Sequence, residues 1–132
     1  NRFAAEFLGR ANLISVKNLQ PLDGDRASVT FGGRELIARN HHRLPQGSDC
    51  LLCARPHDFR LDPPMADYNK LTGTVRSVQW QGDTHSVTLE VEGHEVRVTS
   101  VPMHQPPVPG AELHLHFNPS DVTLVPEDSK HG

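Results

Sequence analysis

Two stretches of this chain are nearly the same stretch. Residues 47–61 read GSDCLLCARPHDFRL and residues 110–124 read GAELHLHFNPSDVTL, and they align without a gap at an offset of 63. Gly47/Gly110, Leu52/Leu115, Pro56/Pro119, Asp58/Asp121 and Leu61/Leu124 are identical, while Asp49/Glu112, Cys50/Leu113 and Phe59/Val122 keep charge or apolarity. Upstream the match resumes at an offset of 60, with Ala27, Val29, Phe31, Gly33, Glu35 and Leu36 falling on Val87, Leu89, Val91, Gly93, Glu95 and Val96. A three-residue difference between blocks is an ordinary loop change. An internal repeat constrains the fold before any local propensity does, and a period near 60 is too long for a solenoid. It fits a small barrel built twice.

Units of about 60 residues are marginal alone and usually lean on one another. The formal charge of −3 over 132 residues lacks the basic footprint that a phosphate backbone requires, so nucleic acid is disfavoured as a partner. Five Phe, one Tyr and one Trp are also few for a face on which bases stack. No run approaches the roughly 18 apolar residues of a membrane span, and the N-terminus has no charged-then-apolar secretion signal. A cytoplasmic location is expected. The sequence opens on Asn1, and further sequence is expected upstream. Cys50 and Cys53, the two cysteines, stand three apart on an expected strand, a spacing at odds with an unstrained disulfide. Reduced thiols are expected.

Read in order, residues 1–10 form a helical exit turn, with Phe3, Phe7 and Leu8 on one face and Gly9 in the C′ place. The first barrel is expected over 11–62. Its strands are 11–17, 26–31, 34–39 and 50–55, with a loop at 18–25 and a short closing strand around Phe59 and Leu61. Gly32-Gly33 is a tight hairpin link needing positive φ. By analogy with the second copy, Cys50, Leu52 and Ala54 face the core. Residues 63–70, with Pro63-Pro64, are a linker.

The second barrel is expected over 71–126. Its five strands are 71–81, 84–92, 94–100, 111–117 and 121–125, with Val75, Val87, Leu89, Val91, Val96, Val98, Leu113, Leu115 and Phe117 inward. Residues 101–109, carrying four prolines, are an exposed connection, and 127–132 are a polar tail. The fold class is therefore all-β, with tandem five-stranded barrels of the oligonucleotide-binding (OB) type.

Few residues point to chemistry. GxxxxGK[ST], GxGxxG at a strand-to-helix turn and GxSxG are all absent. This stretch is therefore expected to be non-catalytic, with no catalytic, cofactor or metal residues of its own. His114 and His116 share a strand face and could share a metal with His104 or Glu112. The alternation of Leu113, Leu115 and Phe117 turns them outward, so solvated or interface histidines are the expected reading. Cys50-x-x-Cys53 points to opposite faces, and His41-His42 lies in a loop. Asp58 and Asp121, each two residues after a proline, are expected to hold Asx-type turns, with a ligand contact as the alternative. Trp80 is either a core anchor or an interface residue.

These residues resemble a known family. Residues 3–12, FAAEFLGRAN, look like the segment by which ATPase subunits of bacterial ABC importers pass from the nucleotide-binding domain into a C-terminal regulatory domain. Phe7, Gly9 and Asn12 carry that likeness. Residues 54–61, ARPHDFRL, are similar to the domain's R-P-E-x-(I/L/F)-x-L motif through Arg55, Pro56 and Leu61, with His57 where Glu is usual and Asp58 next. Gly73-Thr-Val-Arg-Ser-Val and the strand after Gly110 match the remaining pattern, and Pro119 and Asp121 repeat Pro56 and Asp58.

The resemblance implies a transport-associated OB (TOBE) domain, like those of the maltose, polyamine, sulfate, ferric-iron and phosphonate importers. It implies a regulatory and dimerisation role as a homodimer on the inner face of the plasma membrane, beside two permease subunits. A small-molecule or protein regulator is a further implied partner. ATP and Mg would belong to an upstream domain, and no cofactor is expected in these residues. The alternative is an oxyanion-binding tandem barrel of the molybdate-binding kind.

Overall fold

A computed structural model describes residues 11–61, 67–100 and 106–127. The expected helical turn at 1–10, most of the linker, residues 101–105 and the end of the tail lie outside them. Nine strands are found among the described residues: β1 (Asn12–Pro21), β2 (Arg26–Phe31), β3 (Arg34–Arg39), β4 (Cys50–Ala54), β5 (Asn69–Gln81), β6 (Thr84–Val91), β7 (His94–Ser100), β8 (Glu112–Phe117) and β9 (Thr123–Val125). The architecture is all-β and OB-like, as the repeat requires.

The chain forms two compact units, and it crosses between them twice. The first takes the residues up to Arg55 and those from Asn118 onward, and the second is Pro56–Phe117. This corrects the expected boundaries of 11–62 and 71–126. The first unit is a closed barrel in the order β1-β2-β3-β9-β4. β9, from the second copy of the repeat, runs parallel to β3 at Arg39↔Thr123 and antiparallel to β4 at Leu51↔Val125, Leu52↔Leu124 and Cys53↔Thr123.

The second unit is a sheet in the order β7-β6-β5-β8, so four strands stand where five were expected. A single bridge, Arg60↔His116, adds the end of the first copy to it. Backbone hydrogen bonds run both ways there, Arg60 N–H to His116 O at 2.7 Å and His116 N–H to Arg60 O at 2.9 Å. Shifted by the repeat offset of 63, Arg60 and His116 become Thr123 and Cys53. The exchange is therefore reciprocal: the second copy gives β9 to the first unit and the first copy gives the Arg60 bridge to the second, at the same register. The repeat is blind to this. Two matched strands facing two matched edges satisfy the backbone equally well either way.

Local sequence explains the elements. Gly32 and Gly33 both have positive φ, and so do Glu92 and Gly93, giving the primed turns that suit two-residue hairpins. β1 runs on to Pro21, past the loop expected from residue 18, because a register break between Lys17 and Gln20 lets it bend and keep pairing with β2. β5 breaks its register at the matching place, between Val75 and Ser77.

Ile14, Val16, Leu19, Ala27, Val29, Leu36, Cys50, Leu52 and Leu124 are buried in the first unit. Leu71, Val75, Val87, Leu89, Val96, Val98, Leu115 and Phe117 are buried in the second, where Phe59 meets Phe117 edge-on at 5.4 Å. Leu113, expected inside, is half-buried. β4 is buried on both faces, with Leu51 and Cys53 joining Val125, Ala11 and Leu13 in a separate apolar cluster. That is why its sequence, CLLCA, is apolar throughout and does not alternate in polarity.

Candidate functional site

At one end of the first barrel the β1–β2 turn and the β3–β4 loop meet over an open cleft of about 600 Å3. Pairing of β2 with β3 sets Arg26 directly opposite Arg39. Two like charges in that relation repel one another. Asp25 neutralises one of them, with its Oδ2 3.2 Å from Arg39 Nε and 3.5 Å from His41 Nδ1. The Arg39 hydrogen bond holds the Asp25 carboxyl below its usual range, with the His41 contact adding to it against a smaller opposing effect of burial. His41 Nδ1 also lies 3.3 Å from Arg39 Nη2. Nδ1 accepts from Arg39 in the tautomer that leaves it bare and donates towards Asp25 in the one that carries the hydrogen there.

The loop is fixed by Asn40. Its backbone N–H donates to Asp25 O, and its side chain grips Leu44 twice, through Nδ2 to Leu44 O at 3.1 Å and from Leu44 N–H to Oδ1 at 2.9 Å. Arg43 N–H donates to Asn40 O at 3.1 Å, and Arg43 is held at φ 51°. Leu19 ties the far end of the loop to β1 through Gly47 N–H and Ser48 O. Arg26 and Arg43 both line the cleft, and neither guanidinium has an ion-pair partner among the described residues. Sequence reading passed over this site. Its signal was the cluster Asp25, Arg26, Arg39 and Arg43, at strand ends and in the loops beside them, which the β2–β3 pairing brings together.

The residues singled out from sequence sit elsewhere. Phe7 and Gly9 lie outside the described residues. Asn12 opens β1 opposite Ala54 and is 7% exposed. It has an unnoticed twin in Asn69, also 7% exposed, which opens β5 opposite Phe117, the repeat counterpart of Ala54. Arg55 is exposed at the crossing between units, and Pro56 and Asp58 bound a 3-10 turn, with Asp58 Oδ1 3.8 Å from His57 Nε2. Leu61 is half-buried just past the Arg60 bridge. Gly73 is buried on β5, Gly110 has φ 91° before β8, and Pro119 is buried at the start of a second 3-10 turn. Asp121 is exposed at the end of that turn, and the capping side chain is Asn118, whose Oδ1 accepts from Ser120 N–H at 2.9 Å. The repeat places Arg55 where Asn118 stands, so this cap belongs to the second copy alone.

His114 is exposed and hydrogen-bonds Thr72 at 3.0 Å, as its outward position requires. His116, also outward as expected, is only 5% exposed, because it is flanked on one side by Lys70 of β5 and on the other by the Arg60 bridge. Burial pushes its pKa down, and the nearby charges of Lys70 and His114 add to this. Among the described residues no three His, Cys, Asp or Glu side chains are grouped to hold a metal ion. Trp80 is 62% exposed, stacked edge-on against His85 at 4.5 Å.

The TOBE domain sequence profile matches residues 52–125, more than half of the chain. The chain belongs to the TOBE domain family. The matched stretch of this TOBE chain begins and ends on paired strands, with Leu52 facing Leu124. Over 129 residues it is 38% identical to PhnT of Salmonella typhimurium, a protein named for 2-aminoethylphosphonate import ATP-binding, covering 95% of this chain and 34% of that one. It is 30% identical over 110 residues to the spermidine/putrescine import ATP-binding protein PotA of Pseudomonas aeruginosa, covering 80% of this chain and 30% of PotA. The chain thus spans about a third of the length of these curated relatives.

Among solved structures, the cytoplasmic molybdate-binding protein ModG, with molybdate bound, aligns with a TM-score of 0.72 over 87% of this chain and 95% of its own, at 20% identity. That likeness is one of fold. No helix among the described residues is long and apolar enough to cross a membrane.

Proposed function

We propose that this chain is the non-catalytic regulatory and dimerisation module of the ATP-binding subunit of a bacterial importer. The observation that carries the reading is the match to PhnT, which spans almost all of this chain but only a third of the relative. The remaining two thirds would hold the ATP and Mg site, and the subunit would work as a cytoplasmic homodimer against membrane permeases. The higher identity to PhnT than to PotA favours a phosphonate over a polyamine as the transported solute.

The module's part is mechanical. Its first barrel is closed by a strand from the second copy of the repeat. A regulator that binds one arrangement of the paired subunits better than another shifts transport by its differential affinity, and by no more than that. The test is twofold. The reading frame upstream of Asn1 should encode a phosphate-cradling G-x-x-x-x-G-K-[ST]. Deleting residues 11–132 from the parent should leave its ATP hydrolysis measurable while abolishing its dimerisation in sedimentation velocity. A parent without that motif, or a deletion that still dimerises with unchanged transport, overturns the proposal.

A further inference from the structure

We infer that the outer face of the first barrel, where β1, β4 and β9 lie side by side, is the seat of residues 3–8 of this chain. Cys50, Leu52 and Ala54 point into the barrel, so Leu51 and Cys53 point out of it. Register sets Leu13 beside Cys53 and Leu51 beside Val125, and these four make one apolar patch across three strands. Outward residues of a small barrel meet water unless another segment lies over them. Leu51 is nevertheless 1% exposed, and Cys53 and Val125 are 5% exposed.

The repeat supplies the control. Asn12 and Asn69 open equivalent strands, so Leu13, Leu51 and Cys53 stand where the second unit has Lys70, His114 and His116. Lys70 and His114 are exposed. The same backbone positions are thus apolar in one copy and titratable in the other, which marks the first copy's face as one that is covered. What precedes each first strand differs accordingly. Residues 3–8 read FAAEFL, with Phe3, Phe7 and Leu8 on one face of a helical turn, whereas residues 62–67 before β5 read DPPMAD. Ala11, three residues on from Leu8, packs against the patch together with Leu13. Three strands make a face about 10 Å wide, and a helix with its side chains is about 10–12 Å across. Two phenylalanines and a leucine cover such a face without burying a charge. In the importer subunit proposed above, this seat makes the entry to the barrel a packed joint and not a loose tether. That consequence rests on the importer reading, and the seat itself does not.

The experiment uses the 132-residue chain. Aromatic-to-methyl NOEs from Phe3 or Phe7 to Leu13, Leu51 or Val125 are expected in its NMR spectra. Iodoacetamide labelling, with Cys50 and Cys53 told apart by fragment-ion masses, gives a second readout. Phe7→Ser should label at Cys53 about tenfold faster than the wild type, or more, while Cys50, inside the barrel, stays within about twofold. Arg2→Ser, on the other side of the helical turn, should leave both rates unchanged. Absence of the NOEs overturns the inference, as does a Cys53 rate that Phe7→Ser does not move. Protection of Cys53 that grows with protein concentration overturns it too, because a second copy is then the cover. So does equal acceleration of both thiols in Phe7→Ser, which reports an opening of β4 as a whole.

Discussion

Leu124 faces Leu52 across an antiparallel pair, although the repeat makes Leu124 the counterpart of Leu61 and Leu52 the counterpart of Leu115. The first barrel therefore closes only when the far end of the chain reaches it. Leu124 is fully buried, and truncating a buried Leu costs about 2–5 kcal/mol through lost transfer energy and the cavity left behind. We predict that Leu124→Ala destabilises the first unit by that amount in urea unfolding. A chain of residues 11–55 joined by a short linker to 118–127 should fold as an independent barrel. Residues 11–62 alone should not, and a cooperative thermal transition from that shorter chain would sink the exchanged closure.

The fold class was legible because alternation and paired glycines were strong in both copies. Val87, Leu89 and Val91 could only be one face of a strand, and Gly32-Gly33 only a primed turn. The partner of each closing strand was not legible, since a repeat makes self-pairing and exchange equivalent in sequence. Asn69 escaped notice because its likeness to Asn12 falls at a different offset from the two matched blocks. The cleft escaped because its arginines are ordinary surface residues until the start of β2 and the β3–β4 loop, 17 positions apart in sequence from Arg26 to Arg43, are folded together. The covering of His116 was hidden for a related reason. Its outward position on β8 was read correctly, but its burial comes from the Arg60 segment laid along that strand.

Gly73 offers a sharper test of packing. A Cβ there would lie 2.7 Å from Val91 Cγ2, 3.1 Å from Glu90 O and 3.3 Å from Leu89 Cβ. Glu90 O belongs to a paired strand backbone and yields less readily than a side chain, so the constraint is steric and not one of dihedral freedom. We predict that Gly73→Ala costs about 1–3 kcal/mol, the usual range for overpacking. Adding Val91→Ala should recover part of that loss relative to Val91→Ala alone, but not all, because Glu90 O remains. Equal losses in both backgrounds would mean that Val91 does not carry the clash. Chemical denaturation of the four proteins in the cycle measures this directly.

Cys50 sits inside the first barrel on β4, and its thiol is pushed up to about 11 by burial, with Asp49 and Glu127 adding to the shift. At pH 8 only about one thiol in a thousand is then ionised, and the thiolate is the reactive form. We predict that iodoacetamide labels Cys50 at least a hundredfold more slowly in the native chain than in 6 M urea. Fast native labelling, located by peptide mass analysis, would show that β4 opens readily. Because the exchanged β9 covers one edge of β4, Leu124→Ala should speed the native reaction.

His116 makes the stability of the chain depend on pH. Its folded pKa is lowered, first by burial and then by Lys70 and His114, with the Arg60 segment on its other side. A buried neutral histidine binds fewer protons in the native state than in the unfolded one, so stability rises with pH through this range. The contribution is fully present above the unfolded value near 6.5 and is lost as pH falls from there through the folded value. We predict that the urea midpoint declines between pH 7.5 and 5.5, and that His116→Gln flattens the decline. His42→Gln, a change at an exposed loop position, should leave it intact. An unchanged slope in His116→Gln would mean that another group carries the pH dependence, and that the proton reaches His116 in the folded chain as readily as in the unfolded one.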